Sequence, residues 1–162
     1  MTFTEFRNQF SDVWRFRNAY GELTYEEAKA LIDAETAPAH VKAAMLDAWR
    51  EARRNNKLWN VGVSLSDKRE LTVTFFEYES EFSGNDFEYR YLLNAENTAR
   101  FLKMIPDQGD DPVINVKEWM IENVEYLGRG LELKKKWKEM GLHGTWVDWE
   151  DYPGGIHHKG TF

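Results

Sequence analysis

The chain has 162 residues, a net charge of −7, 42% hydrophobic and 15% aromatic residues, and no cysteine. That length suits one domain burying about 70% of its unfolded surface, and the composition excludes a disordered tail. The missing cysteine excludes disulfides, thiolate nucleophiles and Cys-ligated zinc, and makes a reducing cytosol the natural compartment.

Residues 1–56 read as helical. Thr4 precedes a run in which Phe6, Phe10, Val13, Trp14 and Arg17 recur at helical spacing, with Gly21 placed as a C-terminal cap. The opening residues include Glu5 and no apolar run, so no signal peptide is expected, and no window reaches the ~18 apolar residues of a membrane span. Thr24 and Glu27 fit a capping box for a helix carrying Ala28, Leu31 and Ile32. Pro38 suits the first turn of a third helix, whose stripe is Val41, Ala44, Met45, Ala48, Trp49 and Ala52. Arg50, Arg53 and Arg54 near its end complement the helix dipole and need no ligand.

Three strands follow. Trp59, Val61, Val63 and Leu65 alternate with polar or small residues. The segment 70–93 reads as a β-hairpin around Gly84-Asn85. Counting outward from that turn sets Phe82 opposite Phe87, Ser80 opposite Tyr89 and Tyr78 opposite Tyr91 on an aromatic face. Glu81 then faces Glu88, Glu79 faces Arg90 and Glu77 faces Leu92 on an acidic face. In the second strand Leu71, Val73 and Phe75 are odd while Phe76, Tyr78 and Phe82 are even. A bulge at Phe75-Phe76 is the favoured explanation, with burial on both sides as the other.

Asn94 caps a helix holding Thr98, Phe101, Leu102 and Ile105 that ends at Pro106. After an acidic loop, Asn115 opens a helix with Val116, Trp119, Met120, Val124 and Leu127, broken at Gly128-Arg129-Gly130. A short basic helix runs through Trp137 to Gly141. Residues 144–152 alternate like a fourth strand, expected at the sheet edge, and 153–162 read as a loose tail. The class is α+β, a mainly antiparallel sheet of about four strands packed with helices. The chain is read as a single domain, 1–162, with a helical part (1–56), a core (57–152) and the tail.

Two surfaces stand out. Glu77, Glu79, Glu81 and Glu88, with Asp86 at the turn, form an acidic ladder whose opposed charges suit a partner's Lys or Arg. Trp146, Asp148, Trp149, Glu150, Asp151 and Tyr152 mix acids with aromatic anchors, the residues that interfaces favour. Lys134, Lys135, Lys136 and Lys138 around Trp137 suggest a nucleic-acid contact, but basic residues late in a helix are explained by the dipole. His143, His157 and His158 with Asp148 or Asp151 are the available metal ligands. Adjacent histidines rarely converge on one ion and no His-x-x-x-His pair exists, so no metal or other cofactor is expected. Catalytic signatures such as Gly-x-Ser-x-Gly, Gly-x-Gly-x-x-Gly and His-Glu-x-x-His are absent from the sequence.

The expected role is therefore a non-catalytic, cytoplasmic, acidic protein-binding module. A stoichiometric inhibitor of the immunity or phage anti-defence type, occluding a basic surface on a protein such as a nucleic-acid-processing enzyme, fits best. Tyr78, Phe82 and the 146–152 aromatics would anchor it, without membrane or direct nucleic-acid binding. The alternative is a metal-dependent hydrolase or nuclease-like enzyme using an acidic cluster.

Overall fold

The computed structural model describes residues 1–78, 84–109, 111–124, 130–151 and 154–162. They form two units, Met1–Trp59 and Asn60–Phe162.

The first unit holds α1 (Phe3–Arg7), α2 (Val13–Glu22), α3 (Tyr25–Asp33) and α4 (Ala39–Lys57). The single helix expected from Thr4 to Gly21 is two. Thr2 and Glu5 form a capping box on α1, and the Asp12 carboxylate accepts the Arg15 N–H to restart the chain as α2. Aromatic packing gives the reason. One straight helix would hold Phe3 and Tyr20 about 25 Å apart, yet their rings meet at 5.4 Å, and Phe16 lies 5.3 Å from Tyr20. Gly21 is no cap but an interior residue of α2. A Cβ there would stand 2.6 Å from the Ala52 carbonyl oxygen, so glycine lets α2 close on α4. The Thr24–Glu27 capping box on α3 is present. Pro38 stands at the N-cap of α4, one residue before its first turn. Of the expected α4 stripe, Trp49 and Ala52 are buried, while Ala44 and Ala48 are exposed.

The second unit contains β1 (Val61–Leu65), β2 (Leu71–Glu77), β3 (Phe87–Leu93), α5 (Ala95–Met104), α6 (Pro112–Asn123), α7 (Leu131–Glu139), β4 (Thr145–Glu150) and β5 (Gly155–Thr161). The strands form one antiparallel sheet in the order β1-β2-β3-β4-β5. The α+β class and the helical N-terminal part are as the sequence indicates. The strand count is five rather than four, because the segment read as a loose tail is β5. β4 is consequently interior, not an edge.

The hairpin register differs from expectation. The count from Gly84-Asn85 sets Glu79 opposite Arg90; the sheet sets Thr74 there, five positions away, with Phe75 opposite Tyr89 and Glu77 opposite Phe87. An odd displacement exchanges the faces of a strand. The core dictates the choice: Leu71, Val73, Phe75, Tyr91 and Leu93 are all at most 3% exposed and lie on one face. Pairing runs unbroken from Leu71 to Glu77, so the bulge at Phe75-Phe76 is absent, and Thr72, Thr74 and Phe76 are half-buried on the other face.

α5, α6 and α7 supply the rest of this core, with Phe101 edge-on to Trp119 (4.9 Å) and Trp137 (5.5 Å). Each such side chain contributes about 1.5–3 kcal/mol on burial. Asn94 caps α5 as expected. α6 starts earlier than expected, on an Asp111 cap followed by Pro112, and Asn115 is buried inside it. Trp137 is fully buried, so the lysine-flanked indole is no stacking platform for a base. Among the described residues no helix is long and apolar enough to cross a membrane.

Candidate metal centre

Strand alternation sets Trp146, Asp148 and Glu150 on one face of β4, opposite Tyr91, Tyr89 and Phe87 of β3. Trp146 packs on the core. Two residues further, Asp148 carries a polar group on the same face, with its side chain only 14% exposed.

The neighbouring edge strand supplies what surrounds that carboxylate. Gly154 and Gly155 take φ values of 88° and 149°, turning the chain back into β5. The β4–β5 ladder then slips: Asp148 pairs with His158, but Trp149 pairs with Ile156, leaving His157 as an extra residue. In a regular strand His157 and His158 would point to opposite faces. A bulge sets two residues against one and re-aims a side chain. Both imidazoles therefore approach Asp148. His158 Nδ1 lies 3.2 Å from Asp148 Oδ2, His157 Nδ1 lies 3.9 Å from Oδ1, and the ring centroids are 4.1 Å apart. The His158 backbone N–H donates to Oδ1 at 2.5 Å, and Phe87 packs edge-on to His157 at 5.6 Å. One ligand atom from each of the three residues falls within 4.8 Å of the others.

Imidazole nitrogens at about 2.0–2.1 Å and a carboxylate oxygen at about 2.0–2.2 Å from zinc stand roughly 3.3–3.5 Å apart in a tetrahedron. The imidazole–carboxylate approaches of 3.2 and 3.9 Å, one to each carboxylate oxygen, lie on either side of that spacing, and the three ligand atoms lie within 4.8 Å of one another. Two imidazoles and one carboxylate suit zinc, nickel, copper or ferrous iron rather than magnesium or calcium, which prefer oxygen. The surroundings are polar and partnered. Tyr91 has its hydroxyl pushed up to about 12, first by burial and then by the negative charge of Asp148. The Tyr89 hydroxyl donates to Glu77 Oε2 at 2.6 Å, and Asn85 Nδ2 donates to Glu150 Oε1 at 2.8 Å.

The residues singled out from the sequence that the structure describes fall on both faces of the sheet. Glu77 shares the face of Asp148, whereas Glu88 lies on the other, paired with Arg90 at 2.6 Å, whose guanidinium sits 5.5 Å from the centroid of the Trp149 ring. Asp86 donates its backbone N–H to Asp151 Oδ1 at 3.0 Å. Tyr78 is exposed, while Trp146, Trp149 and Glu150 are half-buried within the sheet. Glu79, Ser80, Glu81, Phe82 and Tyr152 lie outside the described residues. Of the metal ligands considered from sequence, Asp148, His157 and His158 come together. His143 instead donates its backbone N–H to Asn97, and Asp151 is not in the cluster. The objection that adjacent histidines diverge fails here because of the bulge. The only sequence sign of it is the glycine pair before Ile156. No protein-family model, no curated protein and no solved structure matches the chain.

Proposed function

We propose that this chain binds a divalent transition metal, zinc first among them, through Asp148, His157 and His158. The observation supporting this is the β4–β5 irregularity that turns two consecutive histidines toward one partly buried carboxylate. Three protein ligands are the number found in catalytic zinc sites, which keep a position for water or substrate, whereas structural sites are closed by four. Metal-assisted hydrolysis is the reaction class that such a site supports, with the cation polarising a carbonyl or phosphoryl oxygen. The histidine pair replaces the all-carboxylate cluster of the hydrolase alternative. Occlusion of a basic partner keeps the net charge of −7 in its favour. Of its expected acidic residues, Glu77, Asp148 and Glu150 share one face of the sheet and Glu88 lies on the other. A cysteine-free chain suits a reducing compartment, and the cytoplasm is part of the same proposal.

Thermal unfolding of chelator-treated protein tests this. Zn²⁺ or Ni²⁺ raises Tm, because a ligand at about 100 times its Kd stabilises by about 2.7 kcal/mol. Mg²⁺ and Ca²⁺ do not. The increment is lost in Asp148→Asn and in the His157→Ala/His158→Ala double variant. No increment at millimolar metal, or one that survives both variants, refutes the proposal.

A further inference from the structure

Lys134 stands beside the candidate metal centre. Along β4, Trp146 precedes Asp148 on the same face, about 6.7 Å away by strand rise. It pairs across with Gly160 as Asp148 pairs with His158. A Cβ on Gly160 would fall 2.7 Å from Trp146 Nε1, so the glycine lets the indole lie across β5 next to the histidines. Lys134 Nζ of α7 sits over this ring, 5.5 Å from its centroid. Lys134 is half-buried, and among the described residues its ammonium has no hydrogen bond or ion pair. The helix dipole accounts for Lys136 and Lys138 in the last turn of α7. It does not account for Lys134, the fourth of nine residues, which lies toward the end where a cation is disfavoured.

Charge selects the ligand. A divalent cation held by one carboxylate and two neutral imidazoles keeps a net positive charge, and the Lys134 ammonium adds a second close by. A phosphomonoester carries about −1.5 to −2 charge at pH 7 and offers three strong acceptor oxygens. One oxygen can take the substrate position on the metal at about 2.0–2.2 Å while another accepts from the ammonium at about 2.7–2.9 Å. A polyanion such as a nucleic acid fits less well. Glu77 and Glu150, on the same face, lie beyond Asp148 on the side away from Trp146, and the chain carries −7 overall. We propose, resting on the zinc reading above, that the metal centre takes a small phosphomonoester, with Lys134 holding the phosphoryl group beside the cation. In its hydrolysis a water oxygen forms the new P–O bond and the ester P–O bond breaks. The leaving alcohol takes one of the water protons, and inorganic phosphate remains.

Calorimetric titration of phenylphosphonate, a phosphoryl probe without a cleavable ester, into the zinc-loaded full chain tests this, with the zinc-induced rise in Tm followed in parallel. The probe binds the zinc-loaded chain, and chelation abolishes binding. Lys134→Met weakens it about tenfold or more with the rise in Tm unchanged. Lys134→Arg retains it, and Lys135→Met, at an exposed position of α7, leaves it as it is. This site alone is overturned if the rise in Tm is intact but the probe fails to bind at about 10 mM, if affinity is indifferent to Lys134→Met, if Lys135→Met loses as much, or if an oligothymidylate binds more tightly. Absence of the rise in Tm overturns the metal centre and this site together.

Discussion

Single residues show how far local chemistry reaches. Thr24 and Asn94 were legible as caps because a cap is made by neighbours three positions away. Gly21 was not, since its reason is the Ala52 backbone on another helix. Gly130 is a stronger case. It holds φ at 80°, and a Cβ there would fall 2.5 Å from both the Phe75 and Tyr91 rings. Gly130→Ala should cost about 2–4 kcal/mol in urea unfolding, from strain and overpacking together. Tyr20 and Tyr91, both raised to about 12 by burial, should form phenolate well after the exposed tyrosines when ionisation is followed by ultraviolet absorbance. Their folded values exceed the unfolded one near 10. Their contribution is therefore complete below that pH and is lost as pH rises toward 12. Glu35 behaves oppositely. Its carboxylate accepts the Thr4 hydroxyl and N–H, which lowers its pKa. Its tie to α1 persists above the ordinary carboxylate range and loosens as pH falls through the lowered value, a change that carboxyl NMR titration would register.

Among elements, the β2–β3 pair was legible as a hairpin but not in its register. Both strands alternate, so two pairings displaced by an odd number each give a tidy aromatic face. A turn read from Gly84-Asn85 chooses one; the hydrophobic surface of α5, α6 and α7 chooses the other. Sequence order carries no record of which helices lie on which face. A charge scan separates the two. In the observed register Phe75→Asp buries an unpaired carboxylate and should cost about 3 kcal/mol or more, whereas Phe76→Asp on the half-buried face should cost about 1 kcal/mol. Equal costs at the two positions would restore the bulged, turn-based pairing. β5 escaped notice for a related reason. Glycines and histidines have weak strand propensity, and this segment pairs because β4 presents an open edge, not through its own pattern.

For the whole molecule, the α+β class followed from periodicity alone: helical spacing through residue 56, period-two segments next, then helices again. The candidate metal centre did not, because its geometry depends on one inserted residue in an edge strand. Composition points toward an acidic docking face; in the folded sheet Glu77 accepts from the Tyr89 hydroxyl and Glu88 pairs with Arg90. The fold also brings a carboxylate together with two imidazoles. Zinc-edge X-ray absorption on protein loaded with one equivalent of Zn²⁺ examines this directly. Two imidazole nitrogens and a carboxylate oxygen at about 2.0–2.2 Å should appear in the first coordination sphere, with one imidazole vanishing in His157→Ala. An all-oxygen sphere, or zinc removed by simple dialysis, would contradict the assignment.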